Sequence, residues 1–189
     1  MLKPTYWNHN VAYYPWIKQK VSNCTSILDI GCGDGTLMAY LDDGHKQLTG
    51  IDSDPFCIQK ANLLSVSSKV HFICDDFKTY KLDKLYDAIL FVASIHHMEM
   101  ETALEKAKTL LSSDGLLIIV GLATPTTLLD YVLEALRIVP CKILSKWKSM
   151  ESSEMRSLPV SYQIPSLKEV RNIIKKVLPG ASLTYGLYY

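Results

Sequence analysis

The residues with the clearest chemical potential are a glycine cluster and the acids beside it. Residues 31–35 read Gly-Cys-Gly-Asp-Gly, and they follow a short apolar run that contains Asp29. Glycines at such a turn let a ligand approach the backbone closely. Asp29 and Asp34 place carboxylates where a pyrophosphate would otherwise bind a helix N-terminus, and they would repel it. The loop therefore favours a cationic ligand, such as one with an ammonium and a sulfonium group.

A further acid ends the next apolar run. Asp52 lies 21 residues after Gly31, close to the spacing of about 20 expected for a carboxylate that binds ribose hydroxyls. NAD and S-adenosylmethionine both carry a ribose, so Asp52 alone does not choose between them. The glycine spacing is G-x-G-x-G, and Thr36 occupies the later glycine position of a dinucleotide site. An NAD(P)-type Rossmann oxidoreductase stays as an alternative that this loop argues against.

Two more polar clusters follow later apolar runs. Asp75, Asp76 and Phe77 come after the third run, where a carboxylate can accept from an adenine amine and a ring can cover the base. His96 and His97 come after the fourth run, and a neutral imidazole can take a proton near neutral pH. The alternatives are that one histidine caps the next helix or covers a cofactor. Adjacent residues point apart and no H-E-x-x-H motif is present, so we expect no metal site.

The elements that must position these residues alternate along most of the chain. Strands are predicted at 26–30, 47–52, 69–74, 86–94 and 116–122, and helices at 36–43, 55–65 and 99–111. This alternation predicts βαβ units on a parallel sheet with right-handed crossovers. The glycine loop and the later polar clusters then all follow the carboxyl ends of strands, the edge where such sheets bind ligands.

The alternation lapses after residue 122. Beyond it we predict a helix at 125–139, an irregular stretch at 141–165, an amphipathic helix at 166–178 and a final strand at 181–189. We expect one domain made of an aromatic N-terminal cover (1–25), a cofactor-binding core (26–122), an acceptor-side insertion (123–165) and a C-terminal helix and strand (166–189). The aromatic N-terminus is interpreted either as a lid over the site or as a packed helix.

Composition excludes several functional classes. The chain has 189 residues, and its 20 Lys+Arg against 19 Asp+Glu leave a net charge of +1, so we expect no nucleic-acid partner. Five cysteines without a C-x-x-C pair argue against a disulfide framework and against a zinc site. Apolar runs are too short to span a membrane, and no signal peptide is evident. We therefore expect a cytoplasmic protein without stable membrane insertion.

The motifs in order resemble those of the class I S-adenosylmethionine-dependent methyltransferases. Residues 28–35 are similar to motif I, 50–53 to the acidic second-strand motif, 74–77 to the adenine-contacting segment and 86–98 to motif IV of the small-molecule branch. The likeness runs from about residue 27 to 122 and is to the bacterial methyltransferase-11/25-like branch. It implies a doubly wound, Rossmann-like α/β fold with helices on both faces of a mostly parallel seven-stranded sheet, its last strand incomplete.

The resemblance also implies a role for each matching residue. Those implied to hold the methionine end of S-adenosylmethionine are Asp29, Gly31, Cys32 and Gly33. Those implied to hold its ribose and adenine are Asp52, Ser53, Asp75, Asp76 and Phe77. Those implied to line the cleft near the reacting methyl are Val92, Ala93 and Ser94.

The reaction implied is in-line displacement of the sulfonium methyl by a small-molecule acceptor, with S-adenosylhomocysteine as product. His97 or His96 is the candidate base, needed only if the acceptor must lose a proton. The fourth strand lacks the acidic metal ligand of catechol-type O-methyltransferases, so no metal dependence is expected. A catalytically silent S-adenosylmethionine-binding protein is a further alternative.

Overall fold

The computed structural model describes residues 10–65, 67–81, 83–121, 123–124 and 164–184. These residues contain a parallel sheet of five strands in the order β3-β2-β1-β4-β5. The strands are β1 (Ser26–Ile30), β2 (Gln47–Asp52), β3 (Val70–Cys74), β4 (Tyr86–Val92) and β5 (Leu111–Val120). The helices are α1 (Tyr14–Lys20), α2 (Thr36–Leu41), α3 (Pro55–Leu64), α4 (Met100–Thr109) and α5 (Leu167–Val177). The predicted doubly wound α/β fold is confirmed.

The central strands contribute side chains to two hydrophobic cores, one on each face of the sheet. Along β4, Ala88 and Leu90 pack into the core that holds α1 and α2, whereas Ile89 and Phe91 pack into the core that holds α4. All four side chains are fully buried. Successive strand residues point to opposite faces, so a strand covered on both sides must be apolar at nearly every position.

The winding of the sheet places the candidate site residues at one edge. Strand β1 pairs with β2 on one side and with β4 on the other, so the direction of winding reverses between β1 and β4. At the carboxyl edge the register aligns Ile30 with Ile51 and Asp52 with Cys74. Ligands of open α/β sheets bind in the crevice at such a reversal.

The fifth strand begins earlier than predicted. Tyr86 of β4 pairs with Leu111, but the next pair joins Ala88 to Leu116, so residues 112–115 form a bulge. A Cβ on Gly115 would lie 2.8 Å from a Leu111 methyl and 3.0 Å from the Ser112 carbonyl oxygen. The Asp-Gly pair at 114–115 therefore marks a bulge within β5, and the predicted start of this strand at residue 116 is wrong.

The C-terminal expectations meet the structure only in part. The predicted amphipathic helix is α5, and Ser166 begins it with a capping box to Glu169. Residues 181–184 are not in a strand, and 185–189 lie outside the described residues. The helix expected at 125–139 and nearly all of the irregular stretch at 141–165 also lie outside them. No helix in the described part of the chain is long and apolar enough to cross a membrane.

Asp87, the second residue of β4, ties that strand to the start of β1. Its Oδ2 accepts from the Thr25 backbone N–H (2.8 Å), the Thr25 hydroxyl (2.6 Å) and the Ser26 N–H (3.0 Å). These hydrogen bonds stabilise the carboxylate and hold the pKa of Asp87 below its ordinary value.

We expect Asp87→Ala to lower the free energy of unfolding by about 1–3 kcal/mol at neutral pH, because three donors lose a charged acceptor. Since the folded-state pKa is depressed, this stabilisation is present above the unfolded-state pKa of about 4 and is lost as the pH falls through the folded-state value. Denaturant unfolding at neutral and acid pH measures the difference, with exposed Asp83→Ala as the control. A loss that is the same at both pH values would contradict the assignment.

Candidate functional site

The glycine loop after β1 is held tightly between β2 and the end of β4. The backbone N–H groups of Gly31 and Cys32 donate to the Ile51 carbonyl oxygen at 2.8 and 3.2 Å. Gly31 has φ +73°, and a Cβ there would lie 2.3 Å from the Ser94 Cβ. No other residue type fits this position without moving a strand end, so the packing of Ser94 against the loop requires a glycine here.

Asp52 at the end of β2 fastens the loop from the other side. Its Oδ2 accepts from the Gly33 N–H at 2.8 Å, and its Oδ1 accepts from the Asp54 N–H at 2.9 Å. Its backbone carbonyl accepts from the Asp75 N–H at 3.0 Å. Each carboxylate oxygen has two lone pairs, and the side chain is half-buried, so Asp52 can still accept from ligand hydroxyls.

Asp29 is the most unusual group in the site. It is 2% exposed, and its Oδ1 has no hydrogen-bond partner among the described residues. Burial, with a further contribution from the charge of Asp52, raises the pKa of Asp29 to about 7. A buried carboxylate without a partner is costly. This oxygen therefore fits the ammonium group of a ligand that completes the site.

Asp34 occupies the N-terminal end of α2. Its Oδ1 accepts from the Thr36 hydroxyl at 2.6 Å and from the Thr36 N–H at 3.2 Å. The carboxylate thus lies where a dinucleotide pyrophosphate would bind, and like charges repel. This geometry supports the argument from the sequence against a dinucleotide.

The segment after β3 presents carboxylates and buries its aromatic ring. Asp75 and Asp76 are exposed, and the Asp76 N–H donates to Asp75 Oδ1 at 2.7 Å. Phe77 is 3% exposed, and its ring meets Phe91 edge-on at 6.1 Å between centroids. The acids are therefore open to a ligand, whereas Phe77 packs beneath them in the core. Ser53, which follows Asp52, is exposed.

Hydrogen bonds to β5 and β1 fix the residues at the end of β4. Ala93 has φ +56° and donates its N–H to the Val120 carbonyl oxygen at 2.7 Å. Ser94 is buried, and its hydroxyl donates to the Ile30 carbonyl oxygen. Val92 is partly buried. The Ser94 side chain therefore links the end of β4 to the end of β1.

The Cys32 side chain packs against Gly50, a contact that the sequence motifs did not predict. The Cys32 side chain is buried, and a Cβ on Gly50 would lie 2.8 Å from its sulfur. Burial and the nearby acids raise the pKa of the Cys32 thiol. The Cys32 thiol is therefore packed inside the protein beside Gly50. The signal for this packing was the glycine within strand β2.

The two histidines lie in a 3-10 turn, Ile95–His97, directly after the strand end. Their ring centroids are 4.1 Å apart. His96 Nδ1 is buried and has no partner in the described structure, and burial, with the charge of His97, lowers the pKa of His96. Glu99 caps α4 by accepting from the Glu101 and Thr102 N–H groups. The alternative that a histidine caps this helix is therefore wrong.

Two further features bear on the chemistry. Within the described residues, no group of three or more His, Cys, Asp and Glu side chains could hold a metal ion. A cavity of about 940 Å³ runs along β5, bordered by Trp16, Ile118 and Val170 among others. None of the predicted site residues lines it, so it is separate from the glycine loop.

The sequence of this chain is similar to those of known methyltransferases. The family described as "Methyltransferase domain" matches residues 27–115. A protein of Mycobacterium tuberculosis, strain H37Rv, named an uncharacterized methyltransferase, is 29% identical over 190 residues, which cover 96% of this chain and 92% of that protein. The (S)-coclaurine N-methyltransferase of Thalictrum flavum is 31% identical over 108 residues, which cover 54% of this chain and 30% of the plant enzyme.

A solved structure extends the likeness to the fold. The plantazolicin methyltransferase BpumL, in complex with a pentazolic desmethylPZN analog and SAH, superposes with a TM-score of 0.63 at 26% identity. The superposition covers 90% of this chain and 63% of that one, so this chain spans less than two thirds of the length of the solved enzyme.

We expect the ligand-free Asp29→Asn variant to become increasingly more stable than the wild type as the pH rises. The folded-state pKa of Asp29 lies above the unfolded-state value, so wild-type stability is complete below about pH 4 and falls as the pH rises towards 7. The asparagine variant lacks this loss. Its advantage in unfolding free energy should grow by about 2–4 kcal/mol between about pH 4 and pH 8, measured by urea unfolding. If the difference in unfolding free energy between the two proteins is constant across that range, the pKa of Asp29 is not raised by folding.

Proposed function

We propose, from the premise that this chain is a class I S-adenosylmethionine-dependent methyltransferase, that it methylates a small-molecule acceptor at the carboxyl edge of the sheet. The observation that carries the proposal concerns Asp29. Its buried Oδ1 has no hydrogen-bond partner among the described residues, and it lies beside a glycine loop held by Asp52. S-adenosylmethionine supplies an electrophilic methyl group when it is bound. The residues of the chain bind, orient and exclude water.

Asp29 would hold the amino group of the methionine moiety. Its unpartnered Oδ1 accepts a hydrogen bond there, and the positive charge offsets the repulsion from Asp52. The backbones of Gly31, Cys32 and Gly33 border the same end of the site, and their tight turn leaves room for the chain of the ligand. This pairing converts an unfavourable buried charge into a binding contact.

Asp52 and the segment after β3 would hold the nucleoside. Asp52 keeps free lone pairs for the ribose hydroxyls while it fixes the loop through Gly33. Asp75 and Asp76 are exposed acceptors that suit an exocyclic adenine amine. Ser53 lies beside them, and Phe77 supports the segment from below rather than covering the base.

His97 is the better candidate for a base. The Nδ1 of His96 is buried and burial lowers its pKa, so His96 is a poor proton acceptor from a ligand. The His97 ring packs against it in the turn after Val92, Ala93 and Ser94, which would line the cleft near the methyl group. A base is needed only for an acceptor that must lose a proton as it reacts.

Two observations support a small organic acceptor. Enzymes named (S)-coclaurine N-methyltransferase and plantazolicin methyltransferase are similar to this chain. The net charge of +1 offers no broad attraction for a polyanion, so we propose no nucleic-acid substrate. Free cysteines at Cys24, Cys32, Cys57 and Cys74 accord with a reducing compartment, and we propose a cytoplasmic location.

We expect micromolar binding of S-adenosylmethionine and S-adenosylhomocysteine by calorimetry, and no binding of NADH. Asp52→Ala should abolish measurable binding, because the ribose loses its acceptor and the loop loses its anchor. Asp29→Asn should raise the Kd at least about tenfold, because a neutral amide does not pair with an ammonium group.

Asp43→Asn is the matched control for both variants. Asp43 is an acid that pairs with Lys46 at 2.7 Å, outside the site, and its replacement should leave the Kd unchanged. Binding of NADH alone, or equal affinity in wild type and Asp52→Ala, would overturn the proposal.

We expect His97→Ala to lower kcat by about 10²–10⁴-fold on a phenol or protonated-amine acceptor that must lose a proton. The Kd of S-adenosylhomocysteine should stay within a factor of about two, because the ring does not hold the cofactor. Turnover of radiolabelled S-adenosylmethionine with a panel of small amines and phenols measures both. Unchanged turnover in the variant would remove the base role.

A further inference from the structure

The segment after β3 is a single helical turn with open carbonyl groups. The Asp76 carbonyl oxygen accepts from the N–H groups of Thr79 (3.1 Å) and Tyr80 (2.9 Å). The Asp76 carboxylate accepts from the Lys78 N–H at 2.8 Å, which closes the N-terminal side of the turn. A turn this short satisfies few of its own carbonyl oxygens, so its C-terminal side needs donors from elsewhere.

Lys106 of α4 supplies those donors. Its ammonium donates to the carbonyl oxygens of Phe77, Tyr80 (2.5 Å) and Lys78 (3.3 Å). It also lies 4.7 Å from the centre of the Phe77 ring, which packs edge-on against Phe91. Charge-assisted hydrogen bonds and a cation–π contact are stronger than their neutral equivalents. One side chain thus closes the turn from below.

The charges near this ammonium give it a second link to the site. Burial lowers the pKa of Lys106, while the negative charges of Asp76 and Asp75 act in the opposite direction. The ammonium is therefore partly withdrawn from water by the turn, and it lies near both carboxylates. A solvated lysine on a helix surface would show neither feature.

We infer that Lys106 is a positioning residue that holds the Asp75-Asp76 pair in place for adenine recognition. This inference rests on the proposed function. Without the ammonium, the three carbonyl oxygens lose their charged donor and the turn loosens. The two carboxylates at its start then lose their fixed positions, and the hydrogen bond to the exocyclic amine weakens while Asp29 and Asp52 stay in place.

The test compares variants of two lysines on the same helix. Lys106→Met keeps the aliphatic chain and removes the charge, and Lys106→Arg restores a cation. Lys108→Met is the matched control, because the Lys108 ammonium donates to the Val177 carbonyl oxygen of α5 at 3.1 Å and does not contact the turn. Each protein is titrated with S-adenosylhomocysteine and with S-inosylhomocysteine, which lacks the adenine amine.

We expect Lys106→Met to raise the Kd of S-adenosylhomocysteine about tenfold and to reduce the preference over S-inosylhomocysteine. Lys106→Arg should recover most of the affinity, and Lys108→Met should match wild type. Amide hydrogen exchange at Thr79 and Tyr80 should be faster in Lys106→Met alone. If Lys106→Met does not fold, Lys106→Gln takes its place with the same expectations.

An unchanged Kd in Lys106→Met would overturn the inference while leaving the proposed function intact. So would an equal loss for both ligands with the base preference kept, since that pattern reports general destabilisation. Failure of the wild type to bind S-adenosylhomocysteine would instead overturn the proposed function, and the inference with it.

Discussion

A buried carboxylate that pairs with no cation among the described residues is the constraint on which the rest of the site depends. Asp29 lies at 2% exposure in the middle of the parallel sheet, with Asp52 near enough to raise its pKa further. Core positions of a buried strand are otherwise apolar, as along β4. The two hydrophobic cores supply the stability that tolerates this charge, and the proposed function assigns the same charge to the binding of a cationic ligand.

The glycine loop beside this acid is fixed from two sides. Gly31 packs against Ser94, and Gly33 donates to Asp52, so the loop is bonded to the ends of β2 and β4 at once. The Ser94 hydroxyl closes the arrangement by donating to the Ile30 carbonyl oxygen. Because these contacts use backbone groups and a missing Cβ, the loop has a fixed form before a ligand arrives, which limits the entropic cost of binding.

The sequence predicted what depends on local pattern. The bounds of β1 and β2 match the prediction, and α3, capped by Asp54, begins at the predicted residue 55, because apolar runs, capping residues and proline act over a few residues. The bulge at 112–115 could not be predicted from the sequence. An Asp-Gly pair indicates a turn in most settings, and only pairing with β4 makes it part of a strand.

The direction in which several side chains point was also not predicted from the sequence. Phe77 faces the core and the Cys32 thiol lies against Gly50, although both belong to motifs with expected ligand contacts. Lys106 resembles any solvated lysine of an amphipathic helix until the fold brings three carbonyl groups to it. Such contacts join residues far apart in the chain, and one sequence carries no signal for them.

Proton release on ligand binding tests the central claim most directly. S-adenosylhomocysteine is titrated at about pH 7 in two buffers of different ionisation enthalpy, so that the protons exchanged can be counted. If its ammonium pairs with Asp29, the wild type should release roughly half a proton, since the ligand-free pKa is near the experimental pH, and Asp29→Asn should release less by that amount. Binding with the same proton count in both proteins would contradict the account.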